Sequence, residues 1–243
     1  MRARSAAESP AAGRPGWSVL CDFDGTITLD VTDSLLLRFA RPGWEALEVE
    51  WRAGRIGSRE CMAGQVALLD CSREELEEHL ARVEIDPGFV PFVTAVVGAG
   101  ARLCIVSDGL DVAIASVLER HGIAGIPVSA SRLVQDGPRS WRLEFPHAVT
   151  GCASATCKCA RALPPHTEPA QAVLLIGDGE SDVCVAGSAD VVFARKRLRE
   201  HCQAAGLPHR RVDDFAAALR EWQALDPPVP CARTQGSQET LDA

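Results

Sequence analysis

Apolar residues in this chain come in short unbroken runs rather than in alternation. Val19-Leu20-Cys21, Ala101–Val106, Ala172–Ile176 and Val191–Ala194 each hold four or so strand-forming residues with almost no polar interruption. A run of that length and composition is what a strand reads as when helices cover both faces of a parallel sheet. The segment Asp111–His121 carries apolar residues at Val112, Ala115, Val117 and Leu118, a helical spacing, with Asp111 expected as its N-cap. Strands alternating with helices predict an α/β doubly wound parallel sheet.

Two stretches depart from that alternation. Between the first and second runs, Ser34–Leu37, Trp44–Trp51, Ser58–Leu69 and Ser72–Val83 lack period two and read as helices, with Ser72-Arg73-Glu74-Glu75 as a capping box. This predicts a helical insertion over 30–85 in a core made of 17–29 and 86–225, with Pro87–Gly98 a helix leading back into it. Val128–His147 reads as a hairpin around Asp136-Gly137-Pro138. Residues 1–16 read as a disordered lead-in without the apolar centre of a secretory signal, and 226–243, rich in proline and polar residues, as a disordered tail.

The 243 residues suffice for one core and a small second unit. A net charge of -8 disfavours nucleic acid as a partner. No apolar stretch reaches membrane-spanning length, so no membrane partner is expected. Of the ten cysteines, Cys21, Cys104 and Cys184 sit in apolar or motif segments, which fits a reduced, cytoplasmic protein better than a disulfide scaffold. The basic run Arg195-Lys196-Arg197 with Arg199 reads as the solvated start of a helix. The sequence leaves the oligomeric state open.

The chemistry lies where the apolar runs end. Asp22 and Asp24 are two apart beyond the first run, so they project on the same side of an extended chain. Ser107-Asp108-Gly109 follows the second run, and Gly177-Asp178-Gly179-Glu180-Ser181-Asp182 the third. Open α/β sheets bind ligands beyond the C-terminal ends of their strands. If these ends are neighbours, Asp22, Asp24, Asp178 and Asp182 converge. Such a cluster needs a hard divalent cation, and magnesium with oxygen ligands suits it. Any one Asp-Gly pair is more simply a turn, and that reading is preferred for Asp108 alone.

Asp22-Phe23-Asp24-Gly25-Thr26-Ile27-Thr28, Ser107-Asp108-Gly109, Lys158 and Gly177–Asp182 resemble, in order, the four motifs of the haloacid dehalogenase-like superfamily. The match spans 18–197. The insertion after the first motif is similar to the C1-type cap of the phosphoserine phosphatase-like branch. Cys157-Lys158 and Asp190–Arg195 resemble the methionine-salvage phosphatases acting on 2-hydroxy-3-keto-5-methylthiopentenyl-1-phosphate, and the phosphoethanolamine/phosphocholine phosphatases. The resemblance implies a Rossmann-like core and a magnesium-dependent phosphatase for a small phosphorylated metabolite. It implies Asp22 as nucleophile through an aspartyl-phosphate and Asp24 as general acid and base. Magnesium would be held by Asp22, the Asp24 carbonyl and Asp178, with Asp182 behind them. Ser107, Asp108, Gly109, Gly25 and Lys158 would bind phosphate. Dehalogenases of the superfamily lack the second acid, so Asp24 favours phosphate esters.

Some readings stay open at this level. The branch typically has a glutamate after the first motif to read a substrate amine. Here the nearest acids are Asp30 and Asp33, and Asp33 also reads as a helix N-cap. Arg38, Arg41, Arg52 and Arg55 are either readers of a second anionic group or solvated arginines. His147, Cys152, Cys157 and Cys159 are either a zinc set or a thiol-rich loop; His166 has no partner arrangement. The alternatives to a general phosphatase are a phosphoserine phosphatase specifically, a phosphomutase or phosphotransferase, or a silent binding module.

Overall fold

The computed structural model describes residues 16–162 and 172–226. Those residues form a seven-stranded sheet. The strands are β1 (Trp17–Cys21), β2 (Arg102–Leu110), β3 (Val128–Gln135), β4 (Trp141–Glu144), β5 (Ala172–Gly177), β6 (Val191–Ala194) and β7 (His209–Arg211). Their order is β4-β3-β2-β1-β5-β6-β7, and every pairing is parallel except the β3–β4 hairpin at one edge. The expected lead-in, tail and His166 lie, apart from Gly16 and Asp226, outside the described residues.

The unbroken apolar runs have their cause in this arrangement. Val19 and Cys21, Leu103 and Ile105, Leu174 and Ile176 belong to one hydrophobic cluster. Leu20, Val106, Val173, Leu175, Val192 and Ala194 belong to a second. Alternate side chains go to opposite faces, and both faces are dry, so neither parity can be polar. The first cluster is covered by α5 (Phe89–Gly98), α6 (Asp111–Arg120) and α10 (Phe215–Gln223). There Phe215 meets Phe89 and Phe92 with ring centroids 5.0 and 5.3 Å away. The second is covered by α7 (Lys158–Ala162), α8 (Val183–Ala186) and α9 (Lys196–Ala205).

Between β1 and α5 the chain forms α1 (Val31–Phe39), α2 (Trp44–Arg52), α3 (Ser58–Ala67) and α4 (Arg73–Leu80). An antiparallel bridge of Thr28 with Ile85 closes the base of this insertion. The Ser72 capping box forms: Glu75 N donates to Ser72 Oγ at 3.2 Å and Ser72 N to Glu75 Oε2 at 2.7 Å.

Several expectations need correction. Leu110, not Asp111, precedes α6 as N-cap; Asp111 is the first helical residue, and its carboxylate accepts Leu133 N at 2.9 Å. Asp33 is not a cap either: Asp30 caps α1 by accepting Asp33 N at 2.9 Å. The expected hairpin forms as β3–β4, and β3 also pairs in parallel with β2. The strand β7 is unforeseen, since its residues are His209, Arg210 and Arg211.

Candidate active site

The first motif folds as a tight loop because Phe23 O accepts three successive amides, those of Thr26, Ile27 and Thr28, at 3.2, 2.8 and 3.2 Å. Gly25 sits at φ +75°, and a Cβ there would lie 2.4 Å from Asp178 Oδ2. Only glycine lets the turn accept that carboxylate so closely. Gly109 serves Asp24 in the same way, since a Cβ would meet Asp24 Oδ2 at 2.6 Å.

Parallel pairing of β1 with β2 on one side and β5 on the other brings the three strand ends together. Lys158 reaches them from α7. Its side chain is 1% exposed, and Nζ lies 2.9 Å from Asp22 Oδ1 and 2.5 Å from Asp182 Oδ1, and donates to Ser181 Oγ at 3.1 Å. All three ammonium donors are therefore used. Asp182 is in turn fixed by Asp178 N and Gly179 N, each 3.2 Å from Oδ2. Asp178 accepts Thr26 Oγ1 on Oδ1 at 3.1 Å and Lys196 Nζ on Oδ2 at 2.9 Å. Asp24 points to the start of α1, accepting Val31 N and Thr32 Oγ1, both at 2.9 Å. Ser107 Oγ accepts Gly109 N at 3.0 Å.

Asp22, Asp178 and Asp182 each present an oxygen within 4.8 Å of the others, the one such group among the described residues. An all-carboxylate donor set with little exposure is what a hard divalent cation fits. His147, Cys152, Cys157 and Cys159 do not gather in that way. Cys152, Cys157 and Cys159 are free thiols.

The Asp108 side chain is also a structural tie. Its carboxylate accepts Ser58 Oγ, at the start of α3, and Thr156 N at 2.7 Å. It thereby ties the insertion to the loop that leads into Lys158. The basic run is also more than a solvated helix start. Arg195 Nη1 donates to Thr26 O at 2.7 Å, and Lys196 Nζ donates to Gly25 O at 3.2 Å besides its bond to Asp178. Sequence reasoning missed both because composition alone does not show which way a basic side chain turns.

These strand ends open into a cavity of about 300 Å³. Its other side is made by Trp51 and Arg52 of α2, Cys61, Met62 and Gln65 of α3, and the acids Asp33 and Glu48. Of Arg38, Arg41, Arg52 and Arg55, Arg52 alone lines it, and Arg52 is paired with Glu48 at 2.7 Å. Arg55 pairs with Glu50 at 2.6 Å, Arg41 donates to Ala67 O, and Arg38 lies over the Phe39 ring.

The electrostatics follow from crowding acids in a dry place. Burial works against the Lys158 ammonium, but Asp182 and Asp22 outweigh it and hold its pKa well above the ordinary value. Burial pushes Asp22 well above the usual carboxylate range against the pull of Lys158, with Asp182 and Asp178 adding to the rise. Asp24 is also raised by burial, although Val31 and Thr32 oppose it. Burial and then Asp24 push Asp30 up to about 7. A carboxylate whose folded pKa exceeds its unfolded value, about 3.9, stabilises the fold below that pH and loses this contribution as pH rises through the folded pKa. In a chelator the melting temperature should therefore fall between about pH 5 and pH 7.5, and magnesium added at the upper pH should restore it. A thermal melt series with and without EDTA checks both.

The sequence profile of the haloacid dehalogenase-like hydrolases matches residues 19–187. The chain belongs to that family. As a haloacid dehalogenase-like hydrolase it has relatives named 2-hydroxy-3-keto-5-methylthiopentenyl-1-phosphate phosphatase. The one from Geobacillus kaustophilus is 34% identical over 217 residues, covering 86% of this chain and 96% of the relative. The one from Exiguobacterium sp. is 30% identical over 202 residues, covering 81% and 93%. Among solved structures, a substrate-bound phosphoserine phosphatase superposes with a TM-score of 0.64 at 21% identity, covering 84% of this hydrolase and 97% of that chain. A phospho-aspartyl intermediate analogue of phosphoserine phosphatase gives 0.64 at 19%, covering 85% and 99%. These last two establish the α/β fold that the apolar runs predicted. Among the described residues no helix is long and apolar enough to cross a membrane.

Proposed function

We propose that this hydrolase cleaves the phosphate ester of a small metabolite, 2-hydroxy-3-keto-5-methylthiopentenyl-1-phosphate, with Asp22 as the nucleophile. That it is a phosphatase follows from the family and the relatives together; substrate, metal and route are the proposal. The observation that carries it is that Asp22, bound to a buried lysine, lines the same small cavity as Asp24.

A carboxylate oxygen of Asp22 would attack phosphorus while the bond to the ester oxygen breaks, leaving an aspartyl-phosphate. Asp24, whose raised pKa favours the protonated form, would give the leaving alcohol its proton. The same carboxylate would then take a proton from the water that attacks the intermediate. Lys158, Ser107 and the Gly109 amide would hold the phosphoryl oxygens, Lys158 and Gly109 giving up a present partner to do so, and phosphoryl transfer asks little more than such positioning. Asp108 and Gly25 would add to the phosphate site, and Asp182 would stand behind the metal ligands. Asp22, the Asp24 carbonyl and Asp178 would hold magnesium, which supplies the positive charge that lets an anionic ester approach an anionic nucleophile.

The insertion over 30–85 would act as a cap that excludes water and bulky esters, with 17–29 and 86–225 as the core. Trp51, Cys61 and Met62 give the cavity a soft, polarisable wall suited to a thioether tail. A second reading, phosphoserine, would need a free acid for the amine. Glu48 is already paired with Arg52, but Asp33 is open to the cavity. A phosphate-release assay with magnesium decides between them. The keto-pentenyl ester should show at least about tenfold higher kcat/KM than phosphoserine, phosphoethanolamine or p-nitrophenyl phosphate. A preference for either amino compound would overturn the assignment.

A further inference from the structure

Lys196 opens α9 with φ +35°, the only non-glycine residue among those described with positive φ. A side chain in that region crowds its own backbone, and such residues persist where the surroundings over-determine them. Here Arg195 N is held by Gly177 O at 3.0 Å on one side, and Leu198 N by Asp178 O at 3.1 Å on the other. The strained residue between them carries its ammonium onto Asp178 Oδ2 and Gly25 O. Asp178 is among the residues that would receive the divalent cation, and Gly25 lies in the first-motif turn beside it.

Two lysines therefore offset the charge of the acid cluster, and they differ in kind. Lys158 is buried, spends all three donors on Asp22, Asp182 and Ser181, and has no way out. The Lys196 side chain is 59% exposed while Asp178 is 12% exposed, so its ammonium can withdraw to water without crossing anything. A divalent ion seated on Asp178 beside Asp22 would repel an ammonium at 2.9 Å from the same carboxylate, because like charges that close are strongly unfavourable even at high effective dielectric.

We propose that Lys196 is a positioning residue that stands in for the metal. It neutralises Asp178 and keeps the first-motif turn in place while the site is metal-free, and it must leave Oδ2 when the divalent ion binds. It thus sets the metal affinity. The inference rests on reading Asp22 and Asp178 as the metal site. It makes a prediction of unusual sign. Removing a side chain that merely braced Asp178 would weaken metal binding, whereas removing a competitor strengthens it.

The test is isothermal titration of magnesium chloride into the full-length, EDTA-treated and dialysed protein, comparing the parent with Lys196→Met, Lys196→Gln, Lys196→Arg and Asp178→Asn, each checked for folding by circular dichroism. Lys196→Met and Lys196→Gln should bind magnesium about tenfold more tightly than the parent, and Lys196→Arg should stay near the parent value because it keeps the charge. Unchanged or weaker binding in both neutral variants, with Asp178→Asn losing its binding, would refute the role of Lys196 alone. A parent that binds no magnesium, or binds it as well when Asp178 is replaced, would overturn the metal site and the inference with it.

Discussion

Asp22→Asn should lower phosphate release by at least about a thousand-fold while leaving the fold and melting temperature nearly unchanged. The amide matches the carboxylate in shape, and its oxygen can still accept from Lys158, which keeps Asp182 and Ser181 as further partners. What is lost is the anionic oxygen that forms the bond to phosphorus. Binding and orientation by Ser107, Lys158 and the cavity wall survive, so the loss should fall on kcat rather than KM. Steady-state kinetics on the preferred ester, paired with thermal melts, measures both. A variant that turns over at the parent rate would remove Asp22 from the chemistry.

Lys158→Met should damage stability as well as turnover. The ammonium is fully buried between Asp22 and Asp182. Methionine fills much of its volume but leaves two carboxylates facing each other in a dry site. Removing one partner of a buried pair costs about 3–5 kcal/mol, which for a chain of this size corresponds to a drop of roughly 6–20 °C. The loss should be smaller at acidic pH, where the acids can take up protons, and smaller again with magnesium. Differential scanning calorimetry at two pH values checks this, and a melting temperature equal to the parent's would show that Lys158 does not hold the acids together.

The sequence made the site legible in proportion to how far each residue's role is set by its neighbours in the chain. Continuous apolar runs revealed β1, β2, β5 and β6 because both faces of the sheet are covered, and the acids stand out because they follow those runs directly. At the edge the signal fails. His209, Arg210 and Arg211 form β7 through backbone pairing with β6 and need no apolar pattern. Asp108 reads as part of a phosphate loop, yet Ser58, fifty residues earlier in the chain, takes its carboxylate. Lys196 looks like a surface charge until the backbone at that position is known. The caps Asp30 and Leu110 lie three residues and one residue before the expected Asp33 and Asp111, a register that no local pattern encodes.

The central claim is that Asp22 carries the phosphoryl group between two half-reactions. Quenching the magnesium-loaded enzyme during turnover with sodium borohydride and mapping the peptides by mass spectrometry tests it most directly, since borohydride reduces an acyl phosphate to the alcohol. Homoserine at position 22, and unmodified Asp24, Asp178 and Asp182, is the expected result. Reduction at another acid, or none while phosphate is being released, would contradict it.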